Sequence, residues 1–389
     1  LLEWATGFPS LIVNNSHPTG HAIGSRIGND IDGMRAALAQ AARALYSTTP
    51  NPRVGCVIVR GGEIVAQGHT QPAGFAHAEA HALHHAAEAG IDVHGATAYV
   101  TLEPCSHHGR TPPCADALVA AGIARVVAAI EDPNPLVAGQ GLARLRAAGV
   151  AVEVGVLADE AREMNIGFLH RIQHGRPWVR MKVAASLDGG TALPDGQSQW
   201  ITSSAARDDG HAWRAQACAI LTGIGTVQQD DPQLTVRAVA TPRQPRRIVV
   251  DSRLEIAPGA RVLAGGGTWI FAAVDDAARA ARLRDEGHEV IVLPTDSGKV
   301  DLGALMQELG RRQINELHVE AGFKLNGSLL RAGVVDELLM YVAPCLLGPA
   351  QGIARLPVLE QLDDRLPLRF DDVCRIGPDL RIRARLTDF

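Results

Sequence analysis

The sequence predicts an α/β protein built as two domains in tandem. Three observations carry this expectation. At 389 residues the chain is long enough for two sizeable cores. Short apolar, β-branched segments alternate with segments of helical period along most of its length. Between two such stretches, "DEAREMNIGFLHRIQHGRP" reads as a linking helix that ends in Gly-Arg-Pro. The expected division is an irregular extension over 1–29, a first domain over 30–174 and a second over 175–389.

In the first domain, "IDGMRAALAQAARAL" has helical period, and "VGCVIVRGGEIVAQG" reads as a hairpin turning at Gly61 and Gly62. A helix from about Ala78 follows, then the strand "ATAYVTL", a helix near "CADALVAAG", the strand "ARVVAAI", a helix after Gly139 and the strand "VAVEVG". The second domain opens with "WVRMKVAASLDG" and continues through the strands "ACAILTG", "RRIVVDS", "TWIFAA", "HEVIVLP" and "ELHVEAG", with helices between them. Its last third adds "DELLMYVAPCLLG" and a terminal strand "LRIRARLTD".

Composition removes several classes. A net charge of −5 gives no basic footprint for nucleic acid, and no apolar run approaches the ~20 residues that cross a bilayer. The stretch "LLEWATGFPSLIVNN" has neither a basic leader nor a clear cleavage site. Six cysteines in so long a chain make no disulfide framework and suit a reducing cytoplasm. Cys56, Cys218, Cys345 and Cys374 sit in apolar surroundings and read as buried, inert thiols. Cys105 and Cys114 each follow a proline in a polar, turn-rich segment.

Those two cysteines give meaning to "GFAHAEAHALHHAAEAG", residues 74–90, which alone could be a polar helix face. His77 with Cys105 and Cys114, from "TLEPCSHHGRTPPC", makes one nitrogen and two sulfur donors. That set suits tetrahedral zinc with one position left for water. Glu79 stands close enough to move that water's protons without ligating, and zinc brings the water's pKa to roughly 7. An H-x-E…P-C-x-x-C order marks zinc nucleobase deaminases, although here eight residues separate the cysteines. His81, His84 and His85 read as helix-surface residues. "HAEAH" is not the zinc-protease motif, which needs glutamate directly after the first histidine.

"NPRVGCVIV", "HAEAHAL", "TLEPCSHHGRTPPC" and "EDPNPLVAGQG" resemble the deaminase domain of the bifunctional riboflavin-biosynthesis deaminase–reductases, whose own variant is the wide cysteine spacing. The resemblance implies a cytidine-deaminase-like α/β/α fold, zinc on His77, Cys105 and Cys114, Glu79 as proton shuttle, and substrate contacts at Asn51, His107 and Arg110. One departure stands out: Thr70, beside His69, replaces the family's usual histidine.

In the second domain, "HVEAGFKLNGSLLRAG" is a strand, a glycine-bearing turn and a helix start suited to phosphate, though Gly322 and Gly327 equally suit a plain turn. Ser252 and Arg253 follow an apolar strand, where they could meet a phosphate monoester and favour NADPH, while Asp251 argues for NADH. Arg214 and Arg237 are cations available to an anionic substrate. "VRMKVAASLDGGTA", "SQWITS", "LTGIGTVQQDDPQLTVR" and "HVEAGFKLNGSLL" resemble the reductase domain of the same family, implying a dihydrofolate-reductase-like fold. By that resemblance Ala184, Trp200, Thr226, Asp230, Ser252 and the loop Gly322, Phe323, Lys324, Leu325, Asn326, Gly327 and Ser328 contact NADPH. Ser198, Arg214, Leu234, Arg237 and Glu320 contact the phosphoribosyl substrate, with Lys182 and Asp230 as polar helpers.

The expected function is therefore zinc-dependent deamination of diaminohydroxyphosphoribosylaminopyrimidine followed by NADPH-dependent reduction of its ribosyl group. The partners are small molecules, not nucleic acid or membrane, and homo-oligomerisation is compatible with the sequence. Two other readings stay open: a zinc deaminase of another base or nucleoside joined to an unrelated reductase, and a non-catalytic zinc-stabilised interaction module.

Overall fold

The computed structural model describes residues 21–106, 112–134 and 138–387. His107 and Arg110 lie outside the described residues. The chain forms two compact units, the first ending at His174 and the second beginning at Gly175.

The first unit runs α1 (Asp30–Ala42), β1 (Gly55–Arg60), β2 (Glu63–His69), α2 (Ala78–Glu88), β3 (Thr97–Val100), α3 (Cys114–Ala120), β4 (Arg125–Ala128), α4 (Gln140–Ala147), β5 (Ala151–Val154), α5 (Ala158–Met164) and α6 (Ile166–His174). Gly61 and Gly62 both take positive φ, as a tight hairpin turn between β1 and β2 requires. The sheet order is β2-β1-β3-β4-β5. β1 pairs antiparallel with β2 and β3, and the β3–β4 and β4–β5 pairs are parallel. Parallel pairs need crossovers, which α3 and α4 supply. Gly68 lets α2 lie directly on β2, because a Cβ there would stand 2.4 Å from the Ala78 carbonyl oxygen.

Two expectations for this unit change. Part of the extension is ordered structure: Gly24 and Ile27 donate to the carbonyls of Ile64 and Gly62, and Ser25 accepts from Ile64, which satisfies the free edge of β2. The linking helix is two helices, broken at Asn165. Its buried side chain accepts from the Arg53 N–H at 2.7 Å and donates to the Arg53 carbonyl at 3.0 Å.

The second unit runs β6 (Trp178–Ser186), α7 (Ser204–Gln216), β7 (Ala219–Gly223), α8 (Ile224–Asp230), β8 (Arg246–Val250), β9 (Trp269–Ala272), α9 (Ala277–Asp285), β10 (Glu289–Val292), α10 (Leu302–Arg311), β11 (Glu316–Val319), α11 (Phe323–Arg331), β12 (Glu337–Ala343), β13 (Leu368–Ile376) and β14 (Asp379–Leu386). Its sheet order is β10-β9-β8-β7-β11-β6-β12-β14-β13. The strands from β10 to β12 pair in parallel, and the β13–β14 hairpin closes the edge antiparallel. Strands such as β7, buried at every position, have the continuous apolar character of a sheet covered on both faces.

β13 is a strand that sequence patterning did not reveal, because "LRFDDVCRI" carries two acids and a register shift between Phe370 and Asp372. Its partner inverts the usual pattern. Arg381 and Arg383 of β14 are buried, and Asp371 and Asp372 of β13 pair with Arg381, Arg383 and Arg385. Arg180, Arg381 and Arg383 also stack on the buried Trp213 ring, 4.4, 5.6 and 5.7 Å from its centroid.

The Asn165 bonds generate a stability prediction. Asn165→Ala removes both, which should cost about 1–3 kcal/mol. In calorimetry of the full chain the transition of the first unit should fall while that of the second stays; two unmoved transitions would contradict this role.

Candidate functional site

In the first unit, the donors converge where helices begin. His77 is the N-cap residue of α2, and Cys114 opens α3 just after the proline that caps it. Cys105 lies past the end of β3, and its sulfur accepts from the Cys114 N–H at 3.3 Å. The His77 Nδ1 stands 3.6 Å from the Cys105 sulfur and 3.5 Å from that of Cys114. A tetrahedral zinc with bonds of ~2.0–2.1 Å to nitrogen and ~2.3 Å to sulfur sets N···S edges of roughly 3.5–3.6 Å. The donor set therefore has zinc's dimensions, and among the described residues no fourth protein donor joins it.

Electrostatics agree with that fit. The hydrogen bond between the two sulfurs, then the His77 contact, pulls the Cys105 thiol down to about 4 against the effect of burial, while the same sulfur–sulfur bond and burial push Cys114 up. Two such sulfurs cannot both be anionic unless a cation lies between them. Glu79, two residues along α2, is 4% exposed. Burial, reinforced by the Cys105 charge, raises its carboxyl to about 7.

A residue missed in sequence sets where Cys105 stands. The buried carboxylate of Glu103 accepts from the N–H groups of Asp132 (3.1 Å), Gly139 (2.9 Å), Gly141 (2.9 Å) and Leu142 (3.3 Å). It thereby caps α4 and ties that helix to the strand end that carries Pro104 and Cys105. A Cβ on Gly141 would lie 1.9 Å from the Pro104 carbonyl oxygen, so only glycine permits this approach. Nothing in the sequence except the position of Glu103 beside Pro-Cys could have signalled it.

Among the remaining residues of this unit, Asn51 is half-buried just ahead of β1. Thr70 is buried, and its hydroxyl accepts from the Val54 N–H at 3.1 Å, so here it clips β1 to β2. Of the three helix histidines only His84 is exposed. His81 is half-buried and accepts from the His69 N–H (3.2 Å) and the Gln71 amide (3.0 Å), which corrects its expected surface role; His85 is also half-buried. The expected burial of the other cysteines holds for Cys56 and Cys218, whereas Cys345 and Cys374 are half-buried at sheet ends and edges.

In the second unit a cleft of about 540 Å³ gathers Lys182, Ala184, Ser198, Trp200, Arg214, Thr226, Asp230, Leu234, Arg237, Glu320, Gly322, Phe323 and Asn326. The expected loop over 322–328 is a helix start, since Gly322 caps α11 and Phe323 begins it. Gly322, Phe323 and Asn326 are among the residues that line the cleft, and Lys324, Leu325, Gly327 and Ser328 lie on the same first two turns of α11; Gly327 packs on the Arg355 main chain. Asn326 is buried and donates to the Ile353 carbonyl, yet its Oδ1 has no protein partner. A helix N-terminus and an orphaned buried oxygen at the cleft wall fit a dinucleotide's phosphate and polar edges.

Arg214 and Glu320 form a two-bond pair, Nε to Oε1 at 2.5 Å and Nη2 to Oε2 at 2.7 Å. Burial lowers the Lys182 pKa, and its Nζ lies 5.7 Å from the Tyr341 ring centroid. Trp200 is exposed, with the Arg207 guanidinium 4.5 Å from its ring centroid. Ser252 and Arg253 do not line this cleft. The Ser252 hydroxyl accepts from the Val300 N–H at 3.4 Å, and Arg253 pairs with Glu255 at 3.0 Å. Asp251 is wholly buried and accepts from the Ile256 N–H, so it braces the turn after β8.

A three-donor metal centre over a buried glutamate in one unit, with a nucleotide-sized cleft in the other, defines a zinc deaminase joined to a reductase. The profile of the cytidine and deoxycytidylate deaminase zinc-binding region matches residues 28–130, and that of the RibD C-terminal domain matches residues 177–382. The riboflavin biosynthesis protein RibD of Escherichia coli is 50% identical over 361 residues, covering 89% of this chain and 96% of that protein. Its counterpart in Haemophilus influenzae is 45% identical, covering 90% and 95%. Acinetobacter baumannii RibD superposes with a TM-score of 0.85 at 42% identity, over 92% of this chain and 99% of that one. A diaminohydroxyphosphoribosylaminopyrimidine deaminase/5-amino-6-(5-phosphoribosylamino)uracil reductase from Thermotoga maritima gives 0.82 at 30% identity, again over 92% and 99%. The chain belongs to the RibD family of bifunctional riboflavin-biosynthesis enzymes.

Two predictions follow from the first site's geometry. Glu79→Gln should lower ammonia release about 10²–10⁴-fold while metal analysis still finds one zinc per chain; near-normal release would remove Glu79 from proton transfer. Glu103→Gln replaces an acceptor oxygen by an amide NH2 group facing N–H donors, at a cost of about 1.5–3 kcal/mol. Its zinc content and the first unit's melting transition should both drop, and retention of both would show that Cys105 is placed without it.

Proposed function

We propose that residues 30–174 deaminate the pyrimidine ring of 2,5-diamino-6-(5-phosphoribosylamino)pyrimidin-4-one and that residues 175–389 reduce the ribosyl group of the resulting uracil to ribityl. The observation that carries this reading is the zinc-sized donor set of His77, Cys105 and Cys114, open beside buried Glu79. A structural zinc site closes with a fourth protein ligand, whereas a hydrolytic one keeps a position open.

Zinc, when bound, is a Lewis acid that makes a hydroxide nucleophile available near pH 7. Glu79 takes the proton of the attacking water and passes protons to the ring nitrogen and the departing amine, which leaves as ammonia. Its carboxyl, held near 7 by burial, can both accept and release a proton at neutral pH. Asn51, His107 and Arg110 are assigned to the substrate's pyrimidine, ribose or phosphate.

In the second unit NADPH supplies a hydride to C1′ of the sugar. The chain's own part is to orient both ligands and handle one proton: the C1′–O4′ bond opens and the ring oxygen takes that proton. Lys182 and Asp230 are the titratable groups assigned to hold it. Ser198, Arg214, Leu234, Arg237 and Glu320 are assigned to the substrate. Ala184, Trp200, Thr226, Asp230 and the residues from Gly322 to Ser328 are assigned to the cofactor. Ser252, at the end of β8, is assigned to the far end of that extended molecule.

Localisation in the cytoplasm suits a centre that depends on two reduced cysteines. Among the described residues no helix is long and apolar enough to cross a membrane. Self-association has support in β13, an edge strand that exposes Leu368, Phe370 and Val373.

The purified, zinc-loaded chain should release ammonia from the pyrimidine substrate and then oxidise NADPH in proportion to the product formed. Failure of the first step would sink the deaminase assignment. Ammonia release without NADPH oxidation would leave the deaminase and overturn the reductase.

A further inference from the structure

Among the described residues, three guanidiniums lining the cleft of the second unit join no ion pair: Arg207, which lies against the Trp200 ring, and Arg237 and Arg261, which have no ring partner. Arg261 opens a short 3-10 turn, Arg261–Leu263, on the loop after β8. Arg237 ends the segment that follows α8. These two loops are tied together, because the Arg261 N–H donates to Asp231 Oδ1 at 2.8 Å. Both side chains are exposed and both line the same cleft.

Besides these two arginines, the cations of the lining are Lys182, Arg207 and Arg214. Arg237 donates only to neutral oxygens, Thr235 Oγ1 at 3.0 Å and Gln233 Oε1 at 3.4 Å. Among the described residues neither arginine joins an ion pair. Of the acids in the lining, Glu320 is engaged by Arg214 and Asp230 makes no ion pair. His211 accepts from the Arg237 N–H at 3.3 Å, and burial lowers its pKa to about 4, so it is neutral and adds no charge. Arg237 itself has a lowered pKa, through burial first and then the charges of Arg214 and Arg261. Like charges facing one pocket repel, and an anion with two negative charges relieves that repulsion.

The geometry points to Arg261 as a second guanidinium that, with Arg237, grips a phosphate monoester of a reductase ligand. Planar guanidiniums from two separate loops can each make paired, charge-assisted bonds to such a group. Two sources carry this chemistry: the 5-phosphate of the pyrimidine substrate and the 2′-phosphate of NADPH. The inference rests on the reductase reading of this cleft. Replacing the side chain leaves the Arg261 main-chain bond to Asp231 intact, so the variants are expected to fold.

The test compares the wild type with Arg261→Ala and Arg261→Lys in steady-state reduction, varying the pyrimidine substrate, NADPH and NADH in turn. Inorganic phosphate is titrated separately against the melting temperature of each protein. Loss of a charge-assisted bond should raise the KM of the phosphate-bearing ligand roughly ten- to a hundredfold in Arg261→Ala, with a smaller rise in Arg261→Lys. A rise for the pyrimidine alone assigns the site to substrate. A rise for NADPH but not NADH assigns it to the 2′-phosphate. In either case stabilisation by inorganic phosphate should weaken in Arg261→Ala. Unchanged KM values together with unchanged stabilisation by phosphate would overturn the proposal. If even the wild type fails to oxidise NADPH, the reductase reading fails, and the phosphate titration alone decides whether Arg261 binds the anion.

Discussion

Everything in the first unit's chemistry depends on one buried carboxylate. Glu103 gathers four main-chain N–H groups from the segment that enters α4, so the helix cannot move without unmaking charge-assisted bonds in a place that water does not reach. Pro104 and Cys105 follow it directly, and the Gly141 contact leaves the Pro104 carbonyl no room to shift. The sulfur is therefore placed by the packing of a helix it does not belong to. His77 comes to the same point from α2, seated on β2 at Gly68, and Cys114 from the first residue of α3. Three donors from three elements meet at zinc's dimensions because each element is fixed independently.

The second unit reaches a comparable result by sheet topology. Parallel strands oblige each crossover helix to start near the end of a strand, and there the unpaired N–H groups of the helix face outward. Gly322 follows β11, α8 follows β7 directly, and Lys182 and Ala184 lie at the middle and in the second half of β6. β6, β11 and β7 are neighbours in the sheet. Cleft residues that are more than a hundred positions apart in the chain thus come together on one side of it.

Most of this was legible because its signals are local. Strand and helix periods, the Gly61-Gly62 turn and the one-nitrogen, two-sulfur donor set can each be read within a short window. What escaped depends on partners far away. Asn165 breaks a helix because Arg53, over a hundred residues earlier, offers it both main-chain groups. β13 was hidden because its acids find their arginines only across the hairpin. The terminal strand "LRIRARLTD" is legible as a strand, but the burial of Arg381 and Arg383 against Trp213, Asp209 and Glu337 is not. Thr70 looked like a lost functional group, but its hydroxyl is engaged with Val54. Adjacency to β8 makes Ser252 and Arg253 legible as a pair, but their place relative to the cleft, outside its main lining, depends on the turn that Asp251 braces.

The inward arginines of β14 have a bearing on how the chain matures. β14 is inserted between β12 and β13 and is synthesised after every other strand of its sheet. Until it docks, Asp209 and Asp372 lack their Arg381 counter-charge, Glu337 has only Arg180 and Asp371 only Arg369, and β12 has an open edge. A second unit without β14 is thus electrostatically incomplete. The sheet of the second unit therefore gains both its edge hairpin and the charge partner of Asp209 only from β14, its last strand in sequence.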